Sequence, residues 1–138
     1  MQDIYAEAVD KLLARGYRKT VDETSESFGD RRFVLKGEGV IIKLAQDRGS
    51  WFVEVALEEW DHGYNVEVWL ACIDGTPILL HGLPMREKVG ALLEHLPEIE
   101  QQASRAPTIH ACLEEQTEQW LQRRRWAGVA GPERTSQQ

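Results

Sequence analysis

Apolar side chains recur at every second position through residues 51–57 and again through residues 64–72, a period that only an extended chain with one buried face satisfies. In the first run Trp51, Val53, Val55 and Leu57 share a face while Glu54 and Glu58 fall on the other. In the second, Tyr64, Val66, Val68, Leu70 and Cys72 oppose Asn65, Glu67, Trp69 and Ala71. A short turn between the runs makes them an antiparallel hairpin. Upstream, residues 31–36 and 39–46 read as two more strands joined at Gly37-Glu38-Gly39, with Val40, Ile42 and Leu44 on one side and Ile41, Lys43 and Ala45 on the other. Asp47-Arg48-Gly49-Ser50 is a tight turn into Trp51. Asp74-Gly75 is a further hairpin signal, which predicts a fifth strand over 76–81 with Ala71 facing Ile78 and Trp69 facing Leu80. The second face of this sheet would then carry Trp69, Ile78 and Leu80 with Phe52 and Ile41 beside them, a surface apolar enough to need cover from the chain or from a partner.

Helical spacing brackets the strands. Asp3 can cap a first helix with Ile4, Tyr5, Ala8, Val9, Leu12 and Leu13 on one stripe and Gly16 as its stop. Residues 18–30 are polar and read as a connector. Residues 85–96 place Val89, Leu92, Leu93 and Leu96 on one stripe, and Pro97 begins either a second short helix or a kinked continuation to 104. Thr108 suits the N-cap of a last helix bearing Ile109, Leu113, Thr117, Trp120, Leu121 and Arg124 along one side. The expected fold is α+β: an N-terminal helix, an antiparallel meander of four or five strands, and C-terminal helices packed on the sheet. The expected core contains Leu12, Val34, Ile42, Val53, Val55, Val66, Val68, Leu92 and Leu121. Residues 1–127 form one domain, large enough for a core without staples, and 128–138 are a polar tail.

A net charge of −7 argues against direct contact with nucleic acid, which requires clustered Lys and Arg. No stretch approaches the roughly 18–20 apolar residues of a membrane span. The first residues, MQDIYAEAVDKLL, lack the charge and apolar core of a secretory signal, so a cytoplasmic location is expected. Cys72 and Cys112, far apart and outside any metal-ligand spacing, read as two small buried thiols. His62, His81, His95 and His110 stand alone, so no metal or other cofactor is expected. Gly37-x-Gly39 joins two strands and is a turn rather than a phosphate loop. Arg123-Arg124-Arg125 complements a helix C-terminus, and Arg31-Arg32 suits an edge strand.

Charge is one-sided in the centre of the chain. Between Arg48 and Arg86 there is no Lys or Arg, while Glu54, Glu58, Glu59, Asp61, Glu67 and Asp74 all occur. With Trp60 and Trp69 interleaved, residues Glu54, Glu58, Glu59, Trp60, Asp61, Glu67 and Trp69 are the expected partner-binding face. No nucleophile, base and orienting group stand together, so an enzyme is not expected; a small hydrolase would have to use Glu54 and Glu67 as a carboxylate pair.

Residues 28–55 carry Phe28-Gly29-Asp30-Arg31 leading into a strand, a Gly-bounded turn, then Asp47-Arg48-Gly49 followed by an aromatic-rich strand. This pattern, with the amphipathic helix before it and the helical third after it, resembles small bacterial immunity-type proteins of polymorphic or contact-dependent toxin systems, over about two thirds of the chain. The resemblance implies a cytoplasmic protein that binds and neutralises a cognate effector, and assigns no catalytic residue. An acidic, aromatic face would suit a basic toxin. The alternative is a secretion-chaperone-like acidic homodimer that holds a segment of a secreted effector.

Overall fold

The computed structural model describes residues 4–24, 30–47, 50–60, 62–78, 82–102 and 106–130. Helix α1 (Ile4–Ala14) leads into strands β1 (Arg18–Thr24), β2 (Arg31–Lys36), β3 (Val40–Asp47), β4 (Ser50–Leu57) and β5 (Tyr64–Asn65). Helices α2 (Val66–Asp74), α3 (Met85–Gln102) and α4 (Ala106–Ala130) follow. The five strands form one antiparallel sheet in the order β1-β2-β3-β4-β5. The α+β meander expected from the sequence is therefore present, although β1 comes from residues expected in a connector and β5 is only the start of the strand expected over 64–72.

The alternation in β3 and β4 sets the faces. Ile42 opposes Val55 and Leu44 opposes Val53 on the buried side; Ile41 opposes Ala56 and Lys43 opposes Glu54 on the other. Gly37 donates its N–H to the Val40 carbonyl at 2.8 Å, and Gly39 takes φ +77°, closing the β2–β3 turn where a side chain would strain it. The helices lie on the buried side: Tyr5, Ala8 and Leu12 of α1, Trp69 of α2, and Leu92, Leu96 and Ile99 of α3 join the strand residues in one core.

Four expectations about the strands are corrected. Residues 18–24, expected in a connector, are strand β1, with a register shift between Lys19 and Val21. β2 is thus an interior strand; Arg31 lies 4.8 Å from the Tyr5 ring centre, and Arg32 pairs with Glu23 at 3.6 Å. The expected fourth strand lasts only through Tyr64 and Asn65 before the chain coils into α2, because every side chain from Val66 to Leu70 is buried and a helix can surround itself with core where a half-exposed strand cannot. Gly75, at φ +76°, caps α2 by donating its N–H to the Ala71 carbonyl, and the Asp74 carboxylate accepts the Thr76 N–H, so Asp74-Gly75 ends a helix instead of turning a hairpin. Residues 76–78 are not a strand, and Leu80 and His81 lie outside the described residues.

The remaining helices differ from expectation in extent. α3 runs through Pro97 without ending, and α4 begins two residues before Thr108 and continues to Ala130, past the expected start of the tail. Asp3, the Arg48-Gly49 corner and residues 131–138 lie outside the described residues. Seven of the nine expected core residues are buried; Val34 opposes Lys43 on the other side of the sheet, and Leu121 is 42% exposed on α4. Cys72 and Cys112 are not free thiols: they form a disulfide between α2 and α4, with Cα atoms 6.0 Å apart.

One ionic tie joins the end of α1 to α3. The Arg15 guanidinium lies 2.6 Å from Glu100, and the Tyr17 hydroxyl donates to the same carboxylate at 2.8 Å. Arg15, with Tyr17 adding to it, holds the Glu100 carboxyl below its usual range. A carboxyl whose folded pKa is depressed contributes stability above its unfolded pKa, about 4.3 for Glu, and loses it as pH falls through the folded value. Urea unfolding at pH 7, 5 and 3 should show Glu100→Gln less stable than the parent by up to about 1 kcal/mol at pH 7, the pair being partly in solvent, with the gap closing at pH 3.

Candidate functional site

β4 leaves the sheet at Leu57 in a turn held by two backbone bonds, Glu58 N–H to the Gly39 carbonyl at 3.0 Å and Trp60 N–H to the Leu57 carbonyl at 2.9 Å. The turn projects Glu58 and Glu59 into solvent and folds Trp60 back onto the core, half-buried. Trp60 stacks on Trp69 with ring centres 6.0 Å apart, meets Tyr64 edge-on at 5.7 Å, and lies 4.9 Å from the His110 ring. Trp69 is its foundation: fully buried, it donates its indole N–H to the Val55 carbonyl at 3.0 Å. Gly63 lets the chain pass β4 closely, since a Cβ there would stand 3.1 Å from the Val55 oxygen.

Tyr64, at the start of β5, turns its hydroxyl toward α4. It donates to the Glu114 carboxylate and lies 3.1 Å from His110 Nε2. His62 joins the group, with Nε2 3.9 Å from the same Glu114 oxygen. Burial, first, and the bond to Glu114 raise the Tyr64 pKa, so the phenol remains a proton donor in neutral solution. Beside these side chains opens a cleft of about 380 Å³ lined by Glu59, Trp60, His62, His110 and Glu114.

Two further depressions continue from it across the open face of the sheet. One, of about 280 Å³, shares Trp60 and His62 with the cleft and extends over Ile41 and Ala56. The other, of about 390 Å³, shares Lys43 and Glu54 with the second and reaches Phe52, Arg32 and Glu23. The three form a trough from the β1–β2 side of the sheet to α4, with a mixed charge along its length and an acidic, aromatic end.

Of the residues expected to bind a partner, Glu54, Glu58, Glu59 and Trp60 lie along or beside this trough. Asp61 lies outside the described residues. Glu67 and Trp69 do not face outward: on helix α2 they are 6% and 0% exposed, and Glu67 accepts from the Leu83 N–H and from Lys88 Nζ, each at 2.9 Å. Glu54 and Glu67 accordingly do not share an outward face. Nor is the acidic stretch without bases, since neighbouring strands place Lys43 3.7 Å from Glu54 and Lys36 3.9 Å from Glu58. Arg123, expected only to complement a helix end, donates to the Ile78 carbonyl at 2.6 Å.

Sequence reasoning missed Tyr64, His110 and Glu114 as a group. The i, i+4 spacing of His110 and Glu114 put both on one side of a helix, but nothing in the sequence brought that helix to Tyr64. The disulfide does so, because Cys112 lies between them on α4. Among the described residues, no helix is long and apolar enough to cross a membrane, and no group of three or more His, Cys, Asp or Glu side chains is arranged to hold a metal ion. A scan against protein-family models, a search of curated proteins and a search of solved structures each find no match for this chain.

Proposed function

We propose that the chain is a protein-binding module of the immunity type, which neutralises a cognate basic toxin by receiving it on the open face of the sheet. The observation that carries this reading is the row of three adjoining depressions, which share Lys43 and Glu54 and then Trp60 and His62 as common walls. An apolar floor with charged walls, ending in a tryptophan set among carboxylates, has the make-up of an interface hot spot with a polar rim. The chain's net charge of −7 would draw a basic protein toward it. The same elongated shape favours one second reading, a chaperone-like acidic dimer that holds an extended effector segment. The Cys72–Cys112 bond bears on where this happens: disulfides persist in oxidising compartments and are rare in the cytosol, which favours an oxidising compartment over the cytoplasm suggested by the sequence.

The test is capture by the tagged, oxidised chain from lysate of its source cells at low salt, with elution at high salt and identification by mass spectrometry. The immunity reading expects one basic protein, captured in fixed ratio and released by salt. Reversing charge at Glu58 and Glu59 should then weaken binding about tenfold and flatten its salt dependence. Unchanged affinity and salt dependence in Glu58→Lys/Glu59→Lys would remove the electrostatic part of the proposal. A dimer that holds its partner at high salt would favour the chaperone.

A further inference from the structure

Most of the carboxylates discussed above are already matched by a permanent cation: Glu54 by Lys43, Glu58 by Lys36, Glu67 by Lys88 and Glu100 by Arg15. The two that line the cleft beside α4 are not. Among the described residues Glu59 has no hydrogen-bonding or ionic partner, and Glu114 meets only the Tyr64 hydroxyl and the imidazoles of His62 and His110. Among the described residues no Lys or Arg lines the cleft. Glu59 comes from the turn after β4 and Glu114 from α4, so the two carboxylates stand on separate elements, and the Trp60 indole and two imidazole rings line the same cleft.

We infer that this cleft is a subsite for an arginine side chain of the bound protein, with Glu59 and Glu114 accepting from its guanidinium beside Trp60. The inference rests on the protein-binding reading above and gives that partner a chemistry. Two carboxylates with no Lys or Arg partner among the described residues favour a cation over an anion. A lining of one indole and two imidazole rings favours a planar, weakly hydrated cation that stacks over a compact, strongly hydrated ammonium. A guanidinium also carries donors on more than one edge, which carboxylates on two separate elements can share. The cleft's volume of about 380 Å³ leaves room for a long side chain to enter from solvent.

The full oxidised chain titrated with N-acetyl-arginine amide, followed by NMR, tests this. Saturable shifts are expected at the indole N–H of Trp60 and at the rings of His62 and His110, with N-acetyl-lysine amide binding more weakly and N-acetyl-glutamine amide not at all. Glu59→Gln, which removes a solvent-exposed carboxylate with no internal partner and so leaves the fold intact, should weaken the arginine probe about fivefold. No saturable shift, an equal response to the glutamine probe, or an unchanged affinity in Glu59→Gln would overturn the subsite. If the arginine probe fails while a partner is still captured, the subsite falls and the protein-binding reading stands. If the probe binds as expected while no partner is captured, the subsite stands and that reading falls.

Discussion

Lys88→Met is expected to lower the stability of the folded chain by about 3–5 kcal/mol, because it leaves the Glu67 carboxylate charged and unpaired inside the protein. Lys88 and Glu67 meet at 2.9 Å with side chains only 12% and 7% exposed. One Glu67 oxygen also accepts the Leu83 N–H, while the other is buried with no partner among the described residues, where Lys88 is the only cation that meets this charge. Gly82 shows how closely the pair is enclosed. At φ +77°, a Cβ on it would stand 3.0 Å from the Glu67 oxygen and 3.4 Å from Lys88 Nζ. Adding Glu67→Gln to Lys88→Met should recover part of the loss, since a neutral amide still accepts the Leu83 N–H and no longer needs a counter-charge. Urea denaturation of parent, single and double variants measures this. A Lys88→Met variant within about 1 kcal/mol of the parent would show that the pair is not sealed from water as described.

Cys72→Ser with Cys112→Ser is expected to cost about 4 kcal/mol, the chain-entropy value for a cross-link spanning 40 residues. The loss should have a local signature. Ile109 and Leu113 are buried on α4 next to Cys112, and His110 and Glu114 reach Tyr64 from that same segment. Without the bond this part of α4 should loosen first, shifting the Trp60 and His110 resonances before global unfolding. Reduction of the parent protein should reproduce both effects. Coincident urea curves for oxidised and reduced protein would contradict them.

The hairpin of β3 and β4 and the amphipathic α1 were legible because each repeats one period long enough to leave a single burial solution: period two in residues 40–57 and 3.6 in residues 4–14. Residues 66–74 were not, since VEVWLACID is apolar on both sides at either period, and Gly75 supplies the positive φ that a helix end and a tight hairpin turn both use. β1 escaped because RKTVDET, at the sheet edge, is held mainly by backbone bonds and cross-strand charges, which leave no apolar pattern to read. The same limit applies to the candidate site. Glu58, Glu59 and Trp60 could be found from composition, but Lys36 and Lys43 neutralise their neighbourhood across strands, and Tyr64, His110 and Glu114 converge only through the packing of α4 on α2. Charge along a sequence describes one strand; charge on a sheet includes its neighbours.

Hydrogen–deuterium exchange on the captured complex, compared with the free chain, tests most directly whether the open sheet face receives the partner. Slower exchange is expected in residues 40–47 and 50–60 and in the part of α4 around residues 108–114, with α1 and α3 on the opposite side unchanged. Slower exchange in α1 and α3, with residues 50–60 unaffected, would place the partner on the helical side and contradict it.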